Sequence, residues 1–308
     1  MIKKIIPVLC TVVLISGMTA AAVFLDNREI IFPEIAAIAA GALIAPDFSW
    51  NSDKKRILIY ISVCAVLGVA IVRWLPVPVE VQMITAYLLA QILLVNSKTT
   101  FAPMISAMVL PVMLQTETPI YILSAVILTS LILMCRWAFE KSGITEKNKF
   151  DPLPRPEIRE YRNVMLRTLF GAVLIVPALV LDFRFAAAPP LLVAFTEFTN
   201  PKSKARNTPV KSVALITLCA CFGAFFRYIF CIYFKALPLY AAAALTILAV
   251  ILLMKALKMF IPPAGAVSIL AMLIPETAVP FFPLQILVGS SAVMLFAKVF
   301  FGNKREKR

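Results

Sequence analysis

The chain has 308 residues, 61% of them apolar and 15% charged, with no histidine, a formal charge of +14 and a mean hydropathy of +0.93. Soluble domains carry about 45–50% apolar and about 25% charged residues, so soluble enzyme folds and disordered chains are excluded. Long unbroken apolar runs also exclude the alternating pattern of a transmembrane β-barrel, and the expected fold is all-α, a polytopic helical membrane protein.

Twelve apolar segments follow one another along the chain. In the first half they lie near residues 5–25, 31–47, 57–75, 79–95, 99–115 and 119–138, and in the second near 164–181, 186–200, 210–232, 237–257, 260–275 and 280–301. The second and fifth of each half are short or broken by proline. The opening segment carries Lys3 and Lys4, an apolar run and then Thr19-Ala20-Ala21-Ala22, the layout of a secretory signal. Its counterpart at 164–181 lies in mid-chain, where no signal can be removed, so the first segment is expected to be retained as a helix.

Asp26 and Arg28 close the first segment, Glu34 sits in the second, and Lys98 precedes the fifth, which holds Phe101, Pro103 and Pro111 and ends on Glu117. A charged stretch at 139–163 contains Asp151-Pro152-Leu153-Pro154-Arg155-Pro156. Each proline disfavours helix in the residue before it, so this stretch reads as an extended linker. The second half brings Asp182 and Arg184, then Glu197, then Lys255 and Lys258 ahead of Phe260-Ile261-Pro262-Pro263-Ala264-Gly265-Ala266, and then Glu276. A basic tail fills 303–308. The expected organisation is a membrane repeat at 1–138, a cytoplasmic linker at 139–163, a second repeat at 164–302 and a cytoplasmic tail.

The repeat rests on matched residues. Leu25-Asp26 corresponds to Leu181-Asp182, Pro46 to Pro201, Cys64-Ala65 to Cys219-Ala220 and Gly68 to Gly223, and Arg73 and Arg227 fall within one residue of equivalence. Residues 101–118 and 260–277 share seven identities over eighteen ungapped positions. With all twelve segments crossing and the N-terminus inside, only Arg28, Arg73, Arg184, Arg227 and Lys235 of the 30 Lys and Arg lie outside. If the short segments were re-entrant, twelve would lie outside. The twelve-crossing arrangement obeys the positive-inside rule better. It makes the repeats parallel, with both termini cytoplasmic in a bacterial inner membrane. A 15-residue helix rises only about 22 Å against a hydrocarbon core of about 30 Å, so the short segments are expected inside the bundle or where the bilayer thins.

The same charge distribution argues against a nucleic-acid partner, because the basic blocks lie between apolar runs and no polar domain carries a basic patch. The six cysteines show no C-x-x-C spacing. Without histidine there is no triad, no Cys–His pair and no His-based metal site. No catalytic residue, metal or cofactor is expected.

Short, proline-broken segments at equivalent places in two halves point to a transporter's binding site. The candidate substrate pathway is therefore Phe101, Pro103, Phe260, Pro262, Pro263 and Gly265, with Lys98, Lys255 and Lys258 nearby; a helix start favours anions, although proline also simply starts helices and lysines snorkel to interfaces. Glu117, Glu276, Asp26, Arg28, Asp182 and Arg184 are the gating or coupling candidates, set against turn, cap and interfacial ion-pair duty. Glu34 and Glu197 need partners if buried, and Arg73 or Arg227 are the nearest choices.

At Phe260-Ile261-Pro262-Pro263-Ala264-Gly265-Ala266 the chain resembles the HPP family of integral membrane proteins, whose signature is His-Pro-Pro followed by Ala-Gly-Ala; Ile261 replaces the histidine. The run at 201–223, with Arg206-Asn207, is similar to that family's basic loop and following helix, and the resemblance covers about residues 186–302. The doubled layout with a charged linker looks like the fusaric-acid-resistance and aromatic-acid-exporter membrane domains. The first resemblance implies small-anion transport, with nitrite as the plant example. The second implies organic-acid efflux with an adaptor partner. The expected function is transport of a small anion or weak organic acid, and the alternative is a non-transporting subunit that scaffolds an efflux-type complex. The expected partners are the lipid bilayer and that substrate, with an adaptor protein or a homo-oligomer as further possibilities.

Overall fold

The computed structural model describes residues 2–45, 49–201 and 203–301. In chain order the helices are α1 (Ile2–Phe24), α2 (Glu34–Ala39, continued by a π turn Ala40–Ile44), α3 (Lys54–Trp74), α4 (Val79–Asn96), α5 (Pro103–Leu114) and α6 (Pro119–Lys141). There follow α7 (Ile158–Val180), α8 (Pro189–Phe198), α9 (Lys204–Asn207), α10 (Pro209–Phe225, continued as a π helix Phe226–Tyr233), α11 (Leu239–Ala256), α12 (Pro262–Leu270) and α13 (Phe282–Phe300). No strand occurs among the described residues. The basic tail at 303–308, Pro46 and Lys202 lie outside them.

Eight helices among the described residues are long and apolar enough to cross a membrane: α1, α3, α4, α6, α7, α10, α11 and α13, the last with the turn before it. Their outward faces are apolar too. Leu9 and Val13 on α1, Leu123 and Ile127 on α6, Leu169 and Val173 on α7, and Leu295 and Val299 on α13 are all exposed. A soluble helix would put polar residues there. An exposed stripe this apolar belongs against lipid, and the chain is a multi-pass helical membrane protein.

The short helices are the inverse case. Every residue of α2 and its π turn, of α5 up to Met113 and of α12 is buried, as is all of α8 except the half-buried Glu197. Nine to twelve residues rise only about 14–18 Å, so their ends cannot reach water across hydrocarbon. The backbone groups there must be satisfied by protein, and arginines do this at three of the four C-terminal ends. Arg136 donates to the Ala42 carbonyl at 2.7 Å, Arg206 to the Phe198 and Thr199 carbonyls at 3.3 and 3.4 Å, and Arg227 to the carbonyls of Ala271 and Ile274, the latter at 2.7 Å. A cation at a helix C-terminus also complements the dipole. Helix α5 ends instead on Gln115, left-handed at φ 53°, whose N–H returns to the Pro111 and Val112 carbonyls.

These four helices form a ring, α2 against α5 and α12, and α8 against α5 and α12. The long helices surround it: α3 lies on α5, α10 on α12, α1 on α11 and α4 on α7. Two glycines at equivalent places allow close approaches. A Cβ at Gly68 would overlap the Met108 carbonyl oxygen, and one at Gly223 the Ser268 carbonyl oxygen, so no larger residue fits where α3 crosses α5 or α10 crosses α12.

The loops gather at two ends. At one end Lys3 donates to the Gly143 carbonyl at 3.0 Å, Lys54 pairs with Glu140, and Lys211 at the start of α10 donates to Leu257 after α11 at 2.8 Å. At the other, Thr118 donates to Glu29, Gln115 to Gln82 at 2.9 Å and Gln82 to the Leu75 carbonyl at 2.8 Å. The stretch expected to be a linker over 139–163 is non-helical only over 142–157. Helix α6 extends to Lys141 because Glu140 joins both Lys54 and Arg136, and α7 starts early on a Glu157/Glu160 capping box. Between them the chain is strapped across its own loops. The Asp151 N–H donates to Asn51 Oδ1 at 3.1 Å, that of Leu153 to the Lys98 carbonyl at 3.0 Å, and Asn148 to the Ser52 carbonyl at 2.6 Å.

Candidate functional site

The first turns of the four short helices meet. Glu34 and Ala37 from α2, Pro103 and Ser106 from α5, Pro190 and Val193 from α8, and Pro263 and Ala266 from α12 enclose a cavity of about 10 Å³. Proline at the head of α5, α8 and α12 explains why each helix begins here. Its fixed φ suits the first turn and it lacks the N–H that would be orphaned there; at α8 and α12 it also holds the preceding Ala188 and Ile261 extended, whereas Ala102 before α5 is already helical. Gly265, also in the first turn of α12, lets α2 approach, since a Cβ there would come within 3.1 Å of the Ala36 carbonyl oxygen.

One polar group dominates this apolar crossing. Glu34 is 1% exposed; the Ser106 hydroxyl donates to its Oε1, while Oε2 has no hydrogen-bond partner among the described residues. Tyr121 of α6 lies close by but donates its O–H to the Ala107 carbonyl at 3.0 Å and packs edge-on against Phe32. The cavity has room for about one water, and every residue lining it is buried.

A single aromatic side chain plugs the linker end. Trp50 meets Phe101 edge-on with centroids 5.1 Å apart and donates Nε1–H to Glu197 at 3.4 Å. Its ring fills the space where a Cβ on Gly41 would sit, so it touches α2, the lead-in to α5, and α8. At the opposite end an open cleft of about 500 Å³ is lined by Asp182, Arg184, Phe185, Thr277, Phe281 and Gln285, among others.

The residues singled out in the sequence divide between these places. Pro103 and Pro263 line the cavity, Pro262 and Gly265 are buried in the same helix start, and Phe101 belongs to the plug. Phe260 is half-buried in the lead-in to α12. The three lysines do not enter the site. Lys98 and Lys258 adopt left-handed turns at φ 57° and 50° after α4 and α11, and Lys255 and Lys258 are exposed.

The gating candidates lie at the cleft end. Asp182 pairs with Arg184 at 3.1 Å inside the cleft, whereas Arg28 reaches Glu276 at 4.0 Å rather than Asp26. Asp26 and Asp182 share a left-handed turn, at φ 47° and 52°. Glu117 is exposed, and the cap of α6 is Thr118.

The proposed arginine partners of the buried carboxylates are corrected. Arg73 is exposed and Arg227 is committed to carbonyls of the α12 end, so Glu34 has Ser106 and Glu197 has Trp50. Sequence reasoning missed Ser106, Trp50 and Pro190, and with them a polar cluster joining α4, α7 and α8. There Arg167 donates to Thr199 at 2.8 Å and to Gln91 at 3.2 Å, and Gln91 donates to Thr196.

No family model matches the chain, and neither the curated proteins nor the solved structures include one similar to it.

Proposed function

We propose that this chain transports a small anion or weak organic acid across a bacterial inner membrane, along a path through the crossing of α2, α5, α8 and α12. The observation that carries the reading is the meeting of four buried short helices on one cavity, with a carboxyl oxygen left unpartnered inside it. Discontinuous helices whose first turns converge within the bundle are the usual construction of a transport site, and an ionisable group there is a functional candidate by default. The small buried cavity, the Trp50 plug at the linker end and the larger cleft at the opposite end support this reading.

We further propose that the chain is two parallel six-segment repeats, with twelve crossings and both termini cytoplasmic. Three features support this reading: the exchange symmetry of the packing (α3 with α5 as α10 with α12, α1 with α11 as α7 with α4), the paired glycines Gly68 and Gly223, and the gathering of loops at two ends. The HPP-like motif falls on the start of α12, where Ile261 leads into Pro262 and Pro263, and membership of that family remains a proposal on those residues.

Purified protein in liposomes tests the transport reading with labelled nitrite and acetate. Flux above that of empty vesicles, reduced at least tenfold by Pro262→Leu and Pro263→Leu in folded protein, is the expected result. Absence of flux, or flux indifferent to both substitutions, would refute it.

A further inference from the structure

We propose that Glu34 is the coupling residue of this site: its free oxygen Oε2 holds one proton in common with the weak-acid anion that enters the cavity. The inference rests on the transport reading and narrows it to weak acids moved together with a proton. It begins with the charges around the cavity. Ser106 of α5 satisfies Oε1, and the remaining lining residues, Ala37, Pro103, Pro190, Val193, Pro263 and Ala266, carry no charge. The titratable neighbours are Tyr121 of α6 and, behind it, Cys64 of α3, both buried. Helix α1 has no charged side chain after Lys4. None of the five ion pairs among the described residues includes Glu34.

The cavity as it stands holds about one water, so an anion enters only when the four helix starts part, and there it meets a carboxylate with no cation to offset either charge. Two like charges about 4 Å apart at an effective dielectric of about 20 repel enough to weaken binding by roughly three orders of magnitude. One proton removes the conflict. With the carboxyl and the anion A⁻ sharing a single proton, the O–H bond lies on Oε2 or on the acid, and the pair carries one negative charge. The first turns of α5, α8 and α12, which point their positive dipole ends at this cavity, suit that residual charge. When the anion leaves, the proton leaves with it, its bond to Oε2 broken, and nothing is oxidised or reduced. The prolines at those helix starts supply few N–H donors, which leaves the shared proton on Oε2 as the hydrogen-bond donor available to the anion.

The test uses Glu34→Gln, which keeps the volume and the acceptor for Ser106, with Glu34→Asp as the conservative variant. In liposomes, an inwardly directed proton gradient should accelerate acetate uptake by the wild type at least tenfold. The residual uptake of Glu34→Gln should be the same with and without the gradient, and Glu34→Asp should restore part of the response. Unchanged gradient dependence in folded Glu34→Gln overturns the proposal. Infrared difference spectra of the purified protein give a readout that does not need flux. Adding acetate should shift a protonated-carboxyl carbonyl band in the wild type, and that band should be missing from Glu34→Gln. A band shift without flux would sink the transport reading and keep the carboxyl site; flux without any band change at Glu34 would do the reverse.

Discussion

Replacing Arg227 with methionine removes the guanidinium that closes the C-terminal end of α12 while keeping much of the buried stem. Arg227 is 2% exposed and donates to the carbonyls of Ala271 and Ile274. A buried carbonyl left without a donor costs about 1–3 kcal/mol, so two of them cost roughly 2–6 kcal/mol. Relief of the buried charge returns part of this, and a net loss of about 3 kcal/mol is expected. Arg73, its near-equivalent in sequence, is exposed beside the end of α3, and Arg73→Met should change stability by no more than about 0.5 kcal/mol. Denaturant unfolding of the purified protein in detergent measures both. Hydrogen exchange should place the loosening of Arg227→Met at residues 271–274. Equal effects of the two substitutions, or a loss in Arg227→Met without faster exchange there, would refute the assignment of arginines as the C-terminal caps of the short helices.

Three further outcomes follow from the packing, the plug and the topology. Gly223→Ala forces a Cβ into the Ser268 carbonyl, whereas a Cβ at Gly17 meets nothing within 4 Å; thermal unfolding should show a loss of about 1–3 kcal/mol for the first and little change for Gly17→Ala. In a background without the six native cysteines, Cys introduced at the buried Ala37 should react slowly with thiol reagents when no substrate is present, and Trp50→Ala should speed that labelling from the linker end at least tenfold; unchanged labelling would mean that Trp50 is not the plug. Cys at Asn51 and at Asn207 should be labelled only from the cytoplasmic side, and labelling of either from outside would contradict the twelve-crossing arrangement.

The membrane class and the helical fold were legible in the sequence because they depend on run length and composition, and eight helices among the described residues are long and apolar enough to cross a membrane. The expected limits of the short segments were too wide. Segment 260–275 becomes a helix only from Pro262 to Leu270, because the residues before a proline stay extended and the chain then enters the bundle before it coils. The prolines were legible as helix starts, and two of them, Pro103 and Pro263, line the cavity. Lys98, Lys255 and Lys258 do not line it, because sequence proximity to a helix start does not fix where the preceding turn places a side chain; Lys98 and Lys258 sit in left-handed turns. Glu34 stood out as an acid in an apolar segment. Its partner Ser106 lies 72 residues away and Trp50 lies 147 residues from Glu197, and no local pattern encodes such pairings. Arg73 and Arg227 look alike in sequence and differ in burial, since the π helix after Phe225 carries Arg227 onto the end of α12.

The central claim is that a solute crosses at the meeting of the four short helices. Its most direct measurement is the flux of labelled acetate and nitrite into liposomes holding the Ala37→Cys protein, free of other cysteines, before and after reaction with a small thiol reagent in the presence of substrate. The expected result is flux that the reagent abolishes, because Ala37 lines the cavity and its modification fills the path. Flux that continues unchanged in the fully modified protein would contradict it.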